Sequence, residues 1–515
     1  MIDTARLAGL VSCEGSHNDN VVCSPLDGSE IGRVPIATPH DVGEAVRKAR
    51  TAQRSWAKVP LAHRCAIASR FRDRVLNHAD QLLDLIHAEN GKSRINAFEE
   101  VMDTALCAAY YSSTAPRHLA PHRRRGAIPF LTSTYETHQP KGVVGVISPW
   151  NYPLTLAVSD AIPALLAGNT VVLKPDSATP FTALAALDLL IRAGLPKDVM
   201  QIVTGPGSVL GDPLIDGVDY VMFTGSGATG RTVAARCGAR LIGSSMELGG
   251  KNPMLVLSDA DWKRSVEGAV QACFSTTGQL CVSIERIYVH RRYYREFCGQ
   301  FAHRTAQIRL GAGSGWDVDL GPLINKAQLD KVAHHVADAV AHGATILAGG
   351  RQRPDLGPLF YEPTVLTGVT DEMICAREET FGPVVAIYPV ESDREAIEKA
   401  NDSQFGLNAS VWSRNLSHAR AVAGCLRTGT VNINEGYAPA WASHDSPMGG
   451  MGASGMGRRH GREGIEKYTE PQTVAAQHLF FLGPPSGVSR RTYFKAMILA
   501  GRLLWTRVHT SSRGK

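Results

Sequence analysis

The sequence predicts an α/β protein with two parallel sheets, and two sets of apolar runs support this class. In the first set, Val143–Ile147, Thr170–Leu173 and Tyr220–Phe223 alternate with helical stretches such as Thr182–Ala193. The second set begins at Pro253–Leu257 and indicates a second α/β domain. Strands of a parallel sheet are covered by helices on both faces, so they appear in a sequence as continuous apolar runs.

The remaining elements follow in chain order. Residues 40–115 are rich in Ala, Leu, Arg and Glu, which predicts a helical segment before Pro116. Met200–Val203 adds a strand to the first set. The second set continues through four more apolar runs: Ile284–Val289, Val384–Tyr388, Ala409–Trp412 and Thr430–Ile433.

The composition is that of a globular chain. Its 515 residues favour roughly two to four domains, and a hydrophobic content of 44% is enough for a sizeable core. The sequence contains no run of about 18 uncharged apolar residues, so we expect no membrane-spanning helix. The N-terminus has no secretory pattern. The ten Cys lack C-x-x-C spacing. We therefore expect no metal site, no disulfide framework and a cytoplasmic setting.

The formal net charge of +6 is a property of the C-terminal tail. After Glu470 the chain has seven basic residues and no acidic one, which leaves −1 for residues 1–470. The near-neutral body predicts no nucleic-acid partner. Within the tail, residues 481–515, apolar and basic positions alternate at helical spacing from Arg490 to His509. This helix either docks on the body or a partner subunit, or lies on an anionic lipid surface.

A glycine-rich motif follows the strand Tyr220–Phe223. Residues Gly225–Gly230 match G-x-G-x-x-G and precede a helix-compatible stretch. Such a turn lets the backbone and a helix N-terminus approach the pyrophosphate of a dinucleotide. The same pattern recurs at Gly450–Gly455 without a preceding strand, and we interpret that second match as a flexible loop.

Cys281, in Gly278-Gln279-Leu280-Cys281, is the candidate nucleophile. It needs a depressed pKa or a nearby base to act as one. Glu247 lies about 20 residues after the glycine motif, where dinucleotide-binding folds place an acid on the ribose. The same carboxylate could be the general base of the cysteine chemistry. These residues alone leave both roles open.

Two polar residues come after predicted strands. Asn151, between Trp150 and Tyr152-Pro153, could donate to a developing oxyanion or be an ordinary turn residue. Lys174, after Val171–Leu173, could contact ribose hydroxyls or phosphate, or be a solvated lysine.

Seven ordered motifs give the chain its resemblance to the aldehyde dehydrogenase superfamily, over residues 20–478. They are ISPWNYP (147–153), GNTVVLKP (168–175), FTGS (223–226), MELGGKNP (246–253), GQLC (278–281), EETFGPV (378–384) and PMGGMGASGMG (447–457). Within the superfamily, the chain most resembles bacterial NADP-dependent succinate-semialdehyde dehydrogenases. The resemblance implies the aldehyde dehydrogenase fold, with a Rossmann-like cofactor domain, an α/β catalytic domain and a small β oligomerisation flap. It also implies a homo-oligomer, either a dimer or a tetramer.

The resemblance implies a role for each candidate residue. Cys281 would be the nucleophile, Glu247 the general base for deacylation, and Asn151 part of the oxyanion hole. Lys174 would complete the catalytic set and, with Glu379, would hold cofactor ribose hydroxyls. The implied cofactor-binding residues are Trp150, Asn151, Lys174, Pro175, Asp176, Ser177, Gly225, Ser226, Gly230, Leu248, Glu379 and Phe381.

Ser177 bears on the choice of cofactor. NAD-preferring relatives often have Glu at this position, where it bonds the adenosine 2′-hydroxyl. A neutral hydroxyl admits a 2′-phosphate that a carboxylate would repel. We therefore expect NADP, with NAD also possible.

The substrate is a small aldehyde whose class stays open. Well-known succinate-semialdehyde dehydrogenases that resemble this chain have Arg where it has Ser159 and Ser275, and those Arg would pair with a substrate carboxylate. Either another base such as Arg286 takes that part, or the aldehyde is a medium-chain or aromatic one. Two further alternatives are a catalytically silent scaffold, which the intact Cys–Glu–Asn set disfavours, and a CoA-acylating enzyme, which Glu247 disfavours.

The resemblance also implies domain bounds. Residues 1–121 and 142–248 would bind the cofactor, and residues 249–464 would carry Cys281. Residues 122–141 and 465–480 would form the oligomerisation flap, and residues 481–515 the tail.

Overall fold

The computed structural model describes residues 3–15, 18–128, 131–479 and 483–511. The chain forms two compact units. One consists of the residues up to His118 together with Pro140–Glu470, and the other of Leu119–Gln139 together with the residues from Pro471 onward. The predicted domain bounds remain a prediction.

A six-stranded sheet lies in the larger unit. Its strands are, in spatial order, Gly455–Met456, Gly243–Glu247, Tyr220–Thr224, Val143–Ile147, Thr170–Lys174 and Met200–Ile202. The other five strands run parallel to one another, and only the short edge strand Gly455–Met456 is antiparallel to its neighbour. The central strands are almost fully buried, as their continuous apolar runs predict.

A seven-stranded sheet in the same unit contains the second set of runs. Its strands are, in spatial order, Thr345–Ala348, Thr364–Thr367, Val384–Val390, Ile284–His290, Asn252–Val256, Asn408–Trp412 and Thr430–Ile433. Only the edge strand Thr345–Ala348 is antiparallel to its neighbour. The sequence did not predict this strand or Thr364–Thr367.

Two smaller sheets complete the strands. Asp19–Cys23 and Glu30–Pro35 form an antiparallel pair. The smaller unit contains a three-stranded sheet made by His122–Arg124, Thr132–Pro140 and Thr469–Gln477.

Helices cover the sheets and fill the N-terminal region. The described α-helices are Thr4–Ala8, Pro39–Trp56, Leu61–Asn77, Ala79–Asn90, Arg94–His118, Thr155–Val158, Ala161–Leu166, Pro180–Arg192, Gly207–Gly217, Gly227–Ala239, Trp262–Phe274, Arg291–Ala306, Lys326–Ala341, Ile374–Arg377, Asp393–Asn401, Leu416–Ala423, Ala438–Ala442, Gly461–Glu466 and Arg490–Ser511. Two 3₁₀ turns lie at Ser275–Gly278 and Gly452–Ser454.

The segment predicted to be helical before Pro116 contains four helices, and the last continues through that proline to His118. The first of them, Pro39–Trp56, begins with a capping box in which Thr38 and Asp41 each bond the backbone of the other. Its apolar face packs on the six-stranded sheet, where Val42 and Val46 join Val143 and Val172 in one core cluster. This packing fixes the sheet whose strand ends carry the site.

The predicted tail helix is present as Arg490–Ser511. Four large apolar side chains on its first half are exposed: Phe494, Met497, Ile498 and Leu499. Within the described residues, no helix is both long and apolar enough to span a bilayer.

Candidate active site

A cavity of about 200 Å³ lies where the larger unit's strand ends meet. Cys281, Glu247 and Asn151 all line it. They come from separate segments of the chain, so the fold brings together the three residues that the motifs predicted as a catalytic set.

Cys281 lies on the turn between the 3₁₀ segment Ser275–Gly278 and the strand Ile284–His290, and it is partly buried. The turn needs glycine at its centre. Gly278 has a φ of +68°, and a Cβ there would lie 2.1 Å from the backbone oxygen of Gly382. The close approach of Gly278 to Gly382 therefore helps to position the turn that carries Cys281.

The Cys281 thiol is protonated in the cofactor-free protein. Burial raises its pKa to about 12, with Arg459 opposing the rise and the carboxylates of Glu247 and Glu379 adding to it. A cysteine becomes a nucleophile through a depressed pKa or through a nearby base. Because the pKa of Cys281 is raised, the nearby base is the route that this structure favours.

The candidate base is Glu247, the last residue of its strand, whose carboxyl is buried. Burial raises its pKa to about 7, although Arg459 and Lys467 counteract the rise. Its Oε1 has no hydrogen-bond partner among the described residues. A carboxylate that titrates near neutral pH without a fixed partner suits a general base.

The glycine-rich loop around Gly455 holds Glu247 in place, so its interpretation as a flexible loop is wrong. Gly455 and Met456 pair antiparallel with Glu247 and Met246. A Cβ on Gly455 would lie 1.9 Å from the Met246 carbonyl oxygen, and one on Gly449 would lie 3.1 Å from Glu247 Oε1. The glycines are required for close packing on the base rather than for binding a phosphate.

Asn151 is buried and donates from Nδ2 to the backbone oxygen of Gln279 at 3.0 Å. This bond ties the amide to the segment that carries Cys281. The same nitrogen has a second N–H, which makes Asn151 a suitable donor to an oxyanion formed beside the thiol.

The sequence did not reveal a buried charge cluster next to the base. The Arg459 guanidinium pairs with Asp160 at 2.7 Å and donates to Thr224 Oγ1 at 2.5 Å. Lys467 Nζ is 3.1 Å from the same carboxylate. Arg459 and Lys467 hold the pKa of Asp160 below its usual range in spite of burial. No local spacing could have revealed the pair, because Arg459 and Asp160 are 299 residues apart in the chain.

Seven of the predicted cofactor residues line the same cavity: Trp150, Asn151, Gly225, Ser226, Leu248, Glu379 and Phe381. Ser226 caps the helix Gly227–Ala239, and its side chain accepts from the Thr229 amide. The helix N-terminus with its free amides therefore faces the cavity. Gly230, on the same helix, touches Leu248, and a Cβ there would lie 2.4 Å from Leu248 Cδ2.

Hydrogen bonds to Gly250 and Glu285 hold the segment that contains Glu379 and Phe381. Glu379 Oε1 accepts from the Gly250 amide at 2.7 Å. The buried carboxylate of Glu285, paired with Lys251, accepts from the Phe381 amide at 2.9 Å. Phe381 meets Trp150 edge to face, with ring centroids 5.6 Å apart. An aromatic wall is thereby fixed next to Cys281.

Lys174, Pro175, Asp176 and Ser177 lie outside the lining of this cavity, at the end of the neighbouring strand. Lys174 Nζ donates to the Pro175 oxygen at 3.0 Å, and burial lowers its pKa. The Ser177 carbonyl accepts from Asn20 at 2.8 Å. Their contribution to cofactor binding stays a prediction.

Arg286 does not face the cavity, so its suggested part in holding a substrate carboxylate is wrong. It lies in the strand Ile284–His290 and is buried. Its guanidinium donates to the backbone oxygens of Lys251, Lys399 and Ala400. The guanidinium N–H groups of Arg286 therefore bond the sheet and a neighbouring helix rather than a ligand in the cavity.

This combination of fold and site is that of an aldehyde dehydrogenase, and the comparisons agree. The profile of the aldehyde dehydrogenase family matches residues 13–474. The chain belongs to this family.

Among its relatives is a protein of Mycolicibacterium smegmatis, provisionally named succinate-semialdehyde dehydrogenase with NADP as cofactor. The two are 54% identical over 96% of each chain. An NADP-dependent enzyme of E. coli shares the fold with a TM-score of 0.88 and 32% identity, over 93% of this chain and all of that one. The NAD⁺ complex of a Bacillus cereus aldehyde dehydrogenase gives a TM-score of 0.87 at 32% identity, over 93% and 99% of the chains.

Proposed function

We propose that this protein oxidises an aldehyde to a carboxylic acid through a thioester on Cys281, with NADP as hydride acceptor. The observation that carries the proposal is the convergence of Cys281, Glu247 and Asn151 on one cavity. The helix N-terminus at Ser226 and the aromatic wall of Trp150 and Phe381 fit a dinucleotide there. NADP is the cofactor in the names of the M. smegmatis and E. coli relatives, and NAD, which is bound in the B. cereus structure, remains an alternative.

The acylation half begins with the thiol proton, which Glu247 accepts. The Cys281 sulfur adds to the carbonyl carbon, and the resulting oxyanion receives hydrogen bonds from Asn151 and the Cys281 backbone amide. A nicotinamide cofactor held at the Ser226 helix N-terminus and by Trp150 and Phe381 would supply the hydride acceptor for that carbon. With the C–H bond broken, the carbonyl re-forms and the acyl group stays on the Cys281 sulfur.

The hydrolytic half needs Glu247 in its ionised form, so the proton taken from the thiol first leaves to solvent. Glu247 takes a proton from water, the oxygen adds to the thioester carbon, and the C–S bond breaks. The products are the acid and the Cys281 thiolate, which is reprotonated. Glu247 thus serves both halves, and its unpartnered Oε1 leaves it free to meet either proton donor.

Two variants test this assignment. Glu247→Gln should bind NADP and release one burst of NADPH per active site more slowly than the wild type, because the thiol proton must then leave to solvent. It should then stop, because the acyl group is not hydrolysed. Cys281→Ala should bind NADP and give no burst. Rapid-mixing absorbance of NADPH measures both. If Glu247→Gln loses cofactor affinity but still turns over, the carboxylate belongs to the ribose and the proposal fails.

For the substrate we propose succinate semialdehyde, on the strength of the relatives' names. One observation favours a second candidate, a medium-chain or aromatic aldehyde. Tyr152 and Tyr437 pack in one cluster with Cys281 and Trp441, and both tyrosine hydroxyls donate to Glu99 at 3.2 and 3.1 Å. The tyrosine hydroxyls therefore meet an acid. The base against the Tyr152 ring is Lys92, with its Nζ 3.4 Å from the ring centroid, and it is already paired with Glu100.

Specific activity separates the two candidates. The panel is succinic semialdehyde, glutaric semialdehyde, a medium-chain aldehyde and an aromatic aldehyde, each with NADP and with NAD. A preference for the semialdehydes supports the first substrate. A preference for the uncharged aldehydes supports the second, and CoA-dependent turnover or complete inactivity would contradict the function itself.

We further propose a cytoplasmic homo-oligomer, a dimer or a tetramer. Oligomers are typical of this family, and the ten cysteines are all free, which suits a reducing compartment. The tail is proposed to contact either protein or anionic lipid.

A further inference from the structure

Three side chains of types that can bind a metal lie together in the larger unit, and none of them lines the cavity of Cys281. Asp103 comes from the helix Arg94–His118, His444 follows the helix Ala438–Ala442, and His460 directly precedes the helix Gly461–Glu466. Each is at least nineteen-twentieths buried, with 4–5% of its surface exposed. One ligand atom from each lies within 4.8 Å of the other two.

These side chains have unusually few partners. Asp103 Oδ1, both ring nitrogens of His444 and His460 Nδ1 lack a hydrogen-bond partner within the part of the chain that the structure describes. A buried polar atom left without a partner costs about 1–3 kcal/mol. A hydrogen bond across the 3.4 Å between Asp103 Oδ1 and His444 Nε2 would still leave the other His444 nitrogen and His460 Nδ1 unsatisfied.

The surroundings fix the three groups. Thr155 donates to the second Asp103 oxygen, Oδ2, at 2.6 Å and so orients Oδ1. The Gly461 amide donates to the His444 carbonyl at 2.7 Å, which joins the two histidine segments. Tyr111, on the Asp103 helix, donates to the Gly461 carbonyl at 3.2 Å. Bonds of this kind preorganise metal ligands.

We propose that Asp103, His444 and His460 bind a divalent transition-metal ion of the zinc class. Two imidazoles and a carboxylate are zinc ligands, whereas Mg²⁺ and Ca²⁺ take oxygen ligands only. Tetrahedral ligands at about 2.1 Å from one ion are about 3.4 Å apart. The ligand atoms, which lie within 4.8 Å of one another, therefore have to approach by at most about 1.4 Å when the ion binds.

The two histidine rings lie close together, with centroids 4.4 Å apart, so that both can reach one ion. The sequence expectation of no metal rested on Cys spacing, which gives no information about histidines in separate segments.

Zinc titration of the full chain tests the proposal. The experiment uses chelator-treated Cys281→Ser protein, because a reactive thiol would itself bind zinc. We expect one Zn²⁺ per chain by calorimetry, and a more than about tenfold weaker affinity after His444→Gln or Asp103→Asn. The control is His87→Gln, a buried histidine whose ring nitrogens already meet the Lys92 and Ala312 oxygens.

Absence of zinc binding, or equal binding by His444→Gln, would overturn the proposal. A crystal of the wild-type protein soaked in Zn²⁺ gives an answer that does not depend on variants folding. Anomalous scattering at the zinc edge between the three side chains supports the site. Water there, with zinc elsewhere or nowhere, contradicts it.

Discussion

At the scale of single residues, burial raises the pKa of both the Glu247 carboxyl and the Cys281 thiol, with opposite consequences for their reactivity at neutral pH. It brings Glu247 to a pKa of about 7, where it exchanges protons readily, and it brings Cys281 to a pKa of about 12, where it does not. Moving the thiol proton to Glu247 across that gap costs about 7 kcal/mol. The cofactor-free protein therefore keeps its nucleophile as a thiol.

This state predicts how the thiol reacts with an alkylating agent. Without cofactor, the rate of Cys281 alkylation by iodoacetamide should rise about tenfold per pH unit and still be rising at pH 9, because only the thiolate reacts. Peptide mass spectrometry of quenched samples measures the rate at this residue, with Cys281→Ser as the blank. A plateau near pH 7 would show that the thiol is already ionised.

Arg459 predicts the pH profile of hydrolysis. Glu247 acts when deprotonated, so single-turnover thioester hydrolysis should rise with pH with a midpoint near 7. Arg459→Gln removes a positive charge that lowers the Glu247 pKa, so the midpoint should move upward. Loss of one partner of the buried Asp160 pair should also cost about 3–5 kcal/mol of unfolding free energy.

The matched control for this change is Arg459→Lys, which keeps the charge and should keep the midpoint close to that of the wild type. Quenched-flow measurements across pH test both variants. An unshifted midpoint in Arg459→Gln would mean that the guanidinium acts only on structure.

Sequence reasoning found the residues that belong to local motifs and missed those that do not. Cys281, Glu247 and Asn151 each lie in a short recognisable segment, and the structure brings them to one cavity. The role of Glu247 stayed open on spacing alone, because a ribose ligand and a general base fit the same position. Asp160 and Arg459 were missed because only the folded chain brings them together.

At the scale of secondary-structure elements, the glycines of the helix Gly227–Ala239 allow a controlled comparison. Gly230→Ala should push Leu248 into the cofactor cavity, because the new Cβ would lie 2.4 Å from its side chain. We expect a raised KM for NADP and a loss of about 1–3 kcal/mol of unfolding free energy from overpacking.

Gly238→Ala on the same helix is the control. Its Cβ would meet nothing within 4 Å, and alanine favours the helix over glycine by about 0.5–1 kcal/mol. The free energy of unfolding should therefore increase and the KM for NADP should stay unchanged. Steady-state kinetics and denaturant melts measure both, and equal effects of the two substitutions would refute the packing argument.

The fold was predictable where an element is buried on both faces. Central strands such as Val143–Ile147 and Tyr220–Thr224 show continuous apolar runs. The edge strand Thr345–Ala348 is mostly exposed, and its apolar run is only the three residues Ile346–Ala348. Gly455–Met456 pairs through the backbone of a glycine loop, which has low strand propensity.

At the scale of the whole molecule, the net positive charge comes from the C-terminal end of the chain. The exposed apolar side chains of the tail helix, such as Phe494 and Ile498, lie among basic residues such as Arg491 and Lys495. This composition is typical of helices that lie on anionic bilayers.

Deleting residues 483–515 should therefore abolish co-sedimentation with anionic liposomes and leave aldehyde oxidation intact. Each basic residue near an anionic surface contributes about 1 kcal/mol, so added salt should release the full-length protein. Neutral liposomes are the control. If the truncated chain sediments as before, the tail contacts protein rather than lipid.

The contact of Gly278 with Gly382 has a mechanical consequence. Two peptide groups approach each other closely there with no side chain between them. A side chain at Gly278 would push the turn that carries Cys281 away from the segment that bears Phe381, so the spacing of these two residues depends on a backbone junction that tolerates no added atom.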